Sequence, residues 1–575
     1  MTRQLKLLIV GGYGVFGGRI VALLEDDPRL MLLVAGRSLD KARSFCAGRG
    51  ATRARLVPLA FDRNGDVDAQ IGAERPDIVV DASGPFQNYG EGAFHLVRAC
   101  IRHGVNYLDL ADGSDFVAGV GTFDEAAREA GVFVLSGVSS FPVLTAAVVR
   151  RLSRDMGRVE TIRGGIAPSP YAGVGENVIR AISSYAGQRM EIRRGGKPGP
   201  AHPLTEQLRY TIAPPGRLPV NNTLFSLVDV PDLRVLPDLW PGAKTVWMGA
   251  GPIPELLHRA FIALAWLVRL RLLPSLLPLA PLIHWASNRL PWGEHRGGMF
   301  VAVEGAAADG TPIRRSWHLL AEGDDGPMIP SMAVQGIVRK VLDGHAPEPG
   351  ARAASGDLEL DDYEQLFAGR RLYSGVREDS AAGAGLYANL LGSAWGALPA
   401  EIRAMHDIDG VAVAGGRAGV TRGRNLLARL AGAVIGFPAA GEDVPVQVTF
   451  AAAAGEETWT RRFGKQSFSS RQFAGAGRSE RLLCEAFGPL VFAMALVVEG
   501  GRLLLVLRRW SLFGVPLPLW LAPRSHAWES SEDGRFRFHV EISHPLTGLI
   551  VKYTGWLTPT PQQPALPTAD ALPTQ

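Results

Sequence analysis

At 575 residues the chain is well beyond the roughly 250–300 at which one hydrophobic core stops growing, so two or three domains are expected. Hydrophobic residues make up 47% and charged residues 20%, which excludes global disorder; the net charge of +4, from scattered Lys and Arg without a basic tract, offers nucleic acid no surface. Cys46, Cys100 and Cys484 lie far apart, which excludes a disulfide scaffold or a cysteine zinc site and fits a reducing compartment.

Residues 5–10 form a short, almost wholly apolar run, as a strand buried on both faces of a parallel sheet requires. This run is too short for a signal peptide and passes straight into a glycine loop, so the expected location is the cytoplasm. The loop is Gly11-Gly12-Tyr13-Gly14-Val15-Phe16-Gly17-Gly18, in which Gly12, Gly14 and Gly17 make GxGxxG ahead of a helical stretch through Leu24. Such glycines allow a tight turn, close approach of backbone to a pyrophosphate, and close helix packing. A second strand at 30–35 ends in Gly36-Arg37-Ser38, where an NAD-binding domain would place an acid to hold the ribose 2′-hydroxyl. Arg37 and Ser38 instead suit a 2′-phosphate, with Lys41 adding to the positive field, so the expected cofactor is NADP(H).

Further strands are predicted at 55–62, 77–82, 106–111 and 132–138, with helices at 91–103 and 123–130. Alternation at this spacing predicts a doubly wound parallel sheet with ligands beyond the carboxyl ends of its strands. That places Asp62 near the adenine, and Ser83, Gly84, Pro85 and Phe86 near the ribose and nicotinamide. Beyond the fifth strand, Tyr107, Asp109 and Asp112 are the candidates for proton transfer, since strand alternation puts Tyr107 and Asp109 on one face. The alternative is a core Tyr107 and a helix-capping Asp112.

GGYGVFGGRI at 11–20, AGRS at 35–38, DASGPFQNYG at 81–90 and GVNYLDLADG at 104–113 resemble the saccharopine dehydrogenase-like family of NADP-dependent reductases, as does EGDDGPMIPSMA at 322–333. The resemblance covers about the first 370 residues. It implies a Rossmann domain over 1–145, an inserted α+β substrate domain over 146–370, and a helix near 329–343 returning to the first domain. It also implies reduction of an imine, enoyl or carbonyl group, and a homodimer. SGVSSFP at 136–142 departs from the family, whose members commonly carry an aspartate in a GFD-type turn here.

His295, Arg296 and His318 lie at strand ends and are candidates for substrate contact, with satisfied structure as the alternative; Asp324-Asp325-Gly326-Pro327 reads as a turn. The apolar stretch 256–285 is interrupted by Arg259, Arg269 and Arg271 and broken by three prolines, so it does not span a membrane. Internal packing, the lining of a pocket for a lipid-like substrate and a membrane surface all fit it.

An acidic helix is predicted at 357–367 and a linker over 371–400. A separate β-rich domain follows over 401–558, where Phe536, Phe538, Val540 and Ile542 alternate with polar residues. It resembles an uncharacterised bacterial domain found fused to such reductases. The glycine run 415–423 reads as turns between strands or as an anion-holding loop, and Arg508, Arg509 and Trp510 hint at a lipid or partner surface. Residues 559–575 are proline-rich and expected to be disordered. The fold class is therefore α/β: a Rossmann sheet, an α+β substrate domain and a β-rich C-terminal domain. An NADP(H)-dependent oxidoreductase acting on a small molecule is expected, the substrate being lipid- or acyl-like, or an amino-acid or polyamine imine. An NADP(H) sensor without turnover is the remaining reading.

Overall fold

The computed structural model describes residues 3–88, 90–289, 291–378 and 385–560. It divides into two compact units, Met1–Ile212 with Thr223–Asp379, and Ala213–Asn222 with Ser380–Gln575.

The first unit opens with β1 (Leu5–Val10), α1 (Val15–Leu24), β2 (Leu30–Gly36), α2 (Leu39–Gly48) and β3 (Arg55–Ala60). Next come β4 (Ile78–Asp81), β5 (Asn106–Asp109) and β6 (Phe133–Ser136). β1 pairs in parallel with both β2 and β4, so Leu7, Leu8 and Ile9 are buried on both faces. Each contributes about 1.5–3 kcal/mol by burial. The sheet order is β6-β5-β4-β1-β2-β3, and the reversal between β1 and β4 opens a crevice at the carboxyl ends of the strands. A seventh strand, Gly350–Ala353, pairs in parallel with β6 and comes from far downstream. The helix Ile329–Leu342 packs on α1, with Gln335 Nε2 donating to the Leu23 carbonyl at 2.9 Å.

A second, mixed sheet has the order Gln207–Ile212, Val220–Leu227, Thr245–Ala250, Arg158–Ala167, Arg296–Ala306, Pro312–Glu322, Leu372–Glu378. Its last strand corrects the expected linker, because His318 pairs with Gly375 and the backbone there is bound into the sheet. Within the remainder of that segment, Leu386–Leu391 is helical and 379–384 lies outside the described residues. The apolar stretch 256–285 runs from the helix Glu255–Arg269 through a turn at 270–279 into the helix Ala280–Arg289, and no described helix is long and apolar enough to cross a membrane. Ala265 and Val268 pack against Ala186, Leu204 and Leu276, whereas Leu256, Leu272, Leu282 and Trp285 are exposed.

The second unit is a ten-stranded antiparallel barrel. From Val411–Arg422 through Gly441–Ala453, Glu456–Phe463, Gln466–Ala474, Leu483–Phe487, Leu490–Glu499, Arg502–Leu512, Arg524–Glu532 and Arg535–His544 to Gly548–Pro559, each strand pairs with the next. The last pairs with the first, which closes the ten strands on themselves, and the short strand Val515–Leu517 adds to Arg502–Leu512 outside that ring. The glycine run 415–423 is neither a turn nor an anion loop. Gly415, Gly416 and Gly419 lie inside the first strand, and a Cβ on Gly416 would stand 1.8 Å from the Trp556 carbonyl oxygen. Thr558 and Pro559 finish the last strand, and the rest of the tail expected to be disordered, 561–575, lies outside the described residues.

Candidate active site

The glycine loop builds the crevice floor. Gly12 N–H donates to the Ala35 carbonyl and Gly14 N–H to that of Gly11, folding the backbone tightly over the end of β1. A Cβ on Gly17 would meet the Gly11 carbonyl oxygen at 2.2 Å, and one on Gly12 the Ile9 carbonyl oxygen at 2.9 Å. Only glycine fits at either position. Gly14 caps α1 without a side-chain hydrogen bond, so the first N–H groups of the helix, from Val15, Phe16 and Gly17, have no intrahelical acceptor. Gly14 and Val15 are exposed, leaving this helix end open to an anion.

At the end of β2 the Tyr13 ring lies across Gly36, and its hydroxyl accepts the Ser38 N–H at 3.1 Å. Ser38 caps α2, its Oγ accepting the Lys41 N–H at 3.3 Å, which leaves the hydroxyl proton free to donate. Arg37 is exposed and makes no ion pair or hydrogen bond among the described residues. Asp62 is also exposed, but its carboxylate accepts the Asn64 N–H at 3.0 Å and so shapes the turn after β3.

A buried ion pair at the end of β4 escaped sequence reasoning. Arg63 Nε donates to Asp81 Oδ2 at 2.8 Å, with the two side chains only 8% and 0% exposed. The other Asp81 oxygen accepts the Ser83 N–H at 3.0 Å and the Ser83 hydroxyl, so the pair fixes the start of Ser83-Gly84-Pro85-Phe86. Asn177, in the helix Glu176–Tyr185, donates to the Gly84 carbonyl at 2.8 Å, and Phe86 packs edge-on to Phe116. The only sequence signal was Asp81 itself, an acid ending an apolar strand.

The three candidates beyond β5 separate. Tyr107 is wholly buried among core residues, its hydroxyl unpartnered among the described residues, and burial pushes its phenol well up. Asp109 is equally buried, and its Oδ1 accepts from Ala111 N–H at 2.9 Å, Gly137 N–H at 2.8 Å and Ser136 Oγ at 3.0 Å. It ties the end of β5 to the departing SGVSSFP turn, and burial pushes its carboxyl up to about 7. Neither reaches the crevice; both sit in the sheet interior because β5 is covered on both faces.

Asp112 is set apart from both. It is half-buried, accepts from Gln87 Nε2 at 3.0 Å, and burial pushes its carboxyl up. Its charge is felt by Tyr185 and Asp229, which come from distant parts of the chain. Asp229 accepts from Ser114 Oγ at 2.5 Å; burial raises both its carboxyl and the Tyr185 phenol. Two carboxyls and a phenol thus share one partly dry corner, where burial favours the protonated form of each. Tyr185 and Asp229, 73 and 117 residues beyond Asp112 by subtraction of their numbers, left no sequence signal.

The other strand-end candidates are structural. His318 is buried against Ser316 Oγ at 2.9 Å, and Arg296 pairs with Glu294 at 2.6 Å. His295 lies 3.4 Å from Asp324, and Asp325 accepts the Arg371 N–H at 2.9 Å, as a turn residue does.

Residues 7–135 match the family model of the saccharopine dehydrogenase NADP binding domain, and residues 398–557 match the domain of unknown function DUF4166. No curated protein matches the chain. Among solved structures, the chain is similar to the apo saccharopine dehydrogenase (L-Glu forming) of Saccharomyces cerevisiae, with 15% identity and a TM-score of 0.47 over 65% of this chain and 100% of that one. It is also similar to a probable dehydrogenase of Thermotoga maritima, at 13% identity and a TM-score of 0.31 over 61% and 92% of the two chains. A third is the WlbA dehydrogenase of Thermus thermophilus in complex with NAD and alpha-ketoglutarate, at 12% identity and a TM-score of 0.28 over 60% and 89%. Residues 7–135 are thus similar to saccharopine dehydrogenase NADP binding domains, and residues 398–557 to a domain family of unknown function.

Proposed function

We propose that the first unit is an NADP(H)-dependent reductase of a small molecule carrying an imine, enoyl or carbonyl group. The observation that carries this reading is the exposed, unpaired Arg37 at the end of β2, beside a glycine cradle that admits no side chain. Gly12, Tyr13, Gly14, Val15, Phe16 and Gly17 would hold the pyrophosphate, Arg37 and Ser38 the 2′-phosphate. Asp62 borders the adenine side and Ser83, Gly84, Pro85 and Phe86 the nicotinamide side. When bound, NADPH supplies a hydride at its nicotinamide ring. Asp112 holds a proton at its carboxyl for the substrate atom that gains negative charge, and Tyr185 stays protonated to orient that atom. Tyr107 and Asp109 act through the scaffold rather than on substrate.

The lipid- or acyl-like substrate class is favoured by the exposed Leu282 and Trp285, on a helix that packs against the one carrying Tyr185. Titration of nicotinamide fluorescence with NADPH and NADH tests the cofactor. A charge-assisted hydrogen bond contributes roughly 1.5–3 kcal/mol, about ten- to a hundredfold in affinity. NADPH is expected to bind at least tenfold tighter, with Arg37→Ser removing that preference and leaving NADH unchanged. Equal affinities in the parent protein would overturn the assignment of Arg37, and binding of neither would overturn the reductase.

A further inference from the structure

The barrel encloses a cavity that the nucleotide chemistry does not use. The space open to water is about 150 Å³, roughly tenfold what a single water needs. Protein interiors ordinarily leave few voids larger than a water molecule, so a space of this size inside a closed barrel is a feature of the fold. Its walls are apolar and rich in aromatics, among them Phe437, Val448, Phe492, Leu505, Ala527 and Phe538.

The two ends of the barrel differ. Strands run alternately up and down, so the connections 423–440, 464–465, 488–489, 513–523 and 545–547 gather at one end. That end carries Leu426, Leu430, Val434, Phe513, Trp520 and Leu546, each between 63% and 79% exposed. Leu426, Leu430 and Val434 lie on the helix Leu426–Ile435, whose last residue, Ile435, lines the cavity. The apolar rim is therefore continuous with the apolar interior. Arg424 and Arg429 are exposed beside it, and the helix holds no acid. A large apolar patch rimmed by cations fits an anionic bilayer surface.

The opposite end is shut. The helices Leu386–Leu391 and Ala400–His406 bring Tyr387 and His406 there, both fully buried, their rings stacked at 3.8 Å. Tyr387 Oη donates to Gln472 Oε1 at 2.9 Å, and His406 Nε2 lies 2.6 Å from Glu529 Oε2. Arg461 donates to Glu485 at 2.9 Å and to Ser470 Oγ at 2.7 Å. Among the described residues the one arginine on the cavity wall is thus balanced by Glu485, with Glu529 a second acid nearby. A ligand carboxylate would find no spare cation at this floor and would face an acid, whereas a hydroxyl or ester would meet donors and acceptors.

We propose that the barrel binds a single long-chain, uncharged lipid, taken up from a bilayer through the apolar rim. The full chain is titrated with N-phenyl-1-naphthylamine, an uncharged apolar fluorophore, and then challenged with oleyl alcohol or oleate. One saturable site per chain is expected, displaced by oleyl alcohol at concentrations at least tenfold below those of oleate. Ala527→Trp and Val448→Phe, which fill the cavity from different strands, should each weaken the probe at least tenfold. Leu430→Asp with Trp520→Asp, both at exposed positions, should leave probe affinity in solution intact. The same pair should abolish co-sedimentation with phosphatidylcholine–phosphatidylglycerol vesicles and slow transfer of the probe from them. Unsaturable binding, or folded filler variants of unchanged affinity, would overturn the site. Displacement by oleate as strong as by oleyl alcohol would overturn the uncharged class, and vesicle binding equal to the parent's would overturn the bilayer route. Should the filler variants not fold, stoichiometry and oleyl alcohol displacement still decide the matter.

Discussion

Replacing Asp109 by Asn separates a scaffold role from a chemical one. The carboxyl is fully buried, its Oδ1 takes three hydrogen bonds, and its Oδ2 has no partner among the described residues. Its pKa rises from 3.8 to about 7 on folding, chiefly by desolvation. Between those values the folded state binds more protons than the unfolded one, so stability falls as pH rises. The favourable protonated form is fully present below pH 3.8 and lost as pH passes 7, a cost of about 4 kcal/mol by pH 8. Asparagine keeps the Oδ1 acceptor and carries no charge, but leaves one more buried donor unpaired than the neutral acid, at about 1–3 kcal/mol. Asp109→Asn should therefore be more stable than the parent at pH 8 by about 1–3 kcal/mol and should lose that advantage towards pH 5. Urea unfolding of both proteins at the two pH values measures it. A variant less stable than the parent at pH 8, or differing by the same amount at both pH values, would refute the reasoning.

Arg63→Met leaves the buried Asp81 charge without its cation, and should cost about 3–5 kcal/mol in urea unfolding, with Asp81→Asn in the same chain recovering part of it. Full additivity of the two changes would show that the pair is not coupled. Gly17→Ala places a methyl 2.2 Å from the Gly11 carbonyl oxygen and should lower NADPH affinity at least tenfold in the fluorescence titration, whereas Gly48→Ala, with open space around it, should not. Asp112→Asn should remove a titrating group that is half-buried, so the ascending or descending limb of any NADPH-oxidation pH profile that it governs should disappear. An unchanged profile would exclude it as the proton carrier.

The glycine cradle was legible because its signals are local. Gly12, Gly14, Gly17 and Arg37 sit within one strand–loop–helix–strand unit, and backbone geometry alone demands glycine at 12 and 17. The corner around Asp112 was not. Alternation gives Tyr107 and Asp109 a shared face, but a face of a parallel strand is covered by helices, and period alone says nothing of that cover. Tyr185 and Asp229 meet Asp112 only through the second sheet, at separations no short pattern spans. In the barrel, alternation at Phe536–Ile542 marked a strand readily, while closure depends on Ala414 pairing with Pro559 across the whole domain. Leu372–Glu378 hid behind its Ser-Gly centre, and Gly416 mimicked a turn residue because close passage of the Trp556 carbonyl also demands glycine.

The late strand Gly350–Ala353 carries a consequence for biosynthesis. The nucleotide sheet gains its edge beside β6, and α1 its packing partner Ile329–Leu342, only after more than 340 residues have left the ribosome. Until then β6 lacks its outer neighbour and α1 shows an uncovered apolar flank, both of which invite aggregation. Expression of the matched segment 7–135 alone would freeze the protein in that incomplete state, so the shortest stable nucleotide-binding fragment should extend through residue 378.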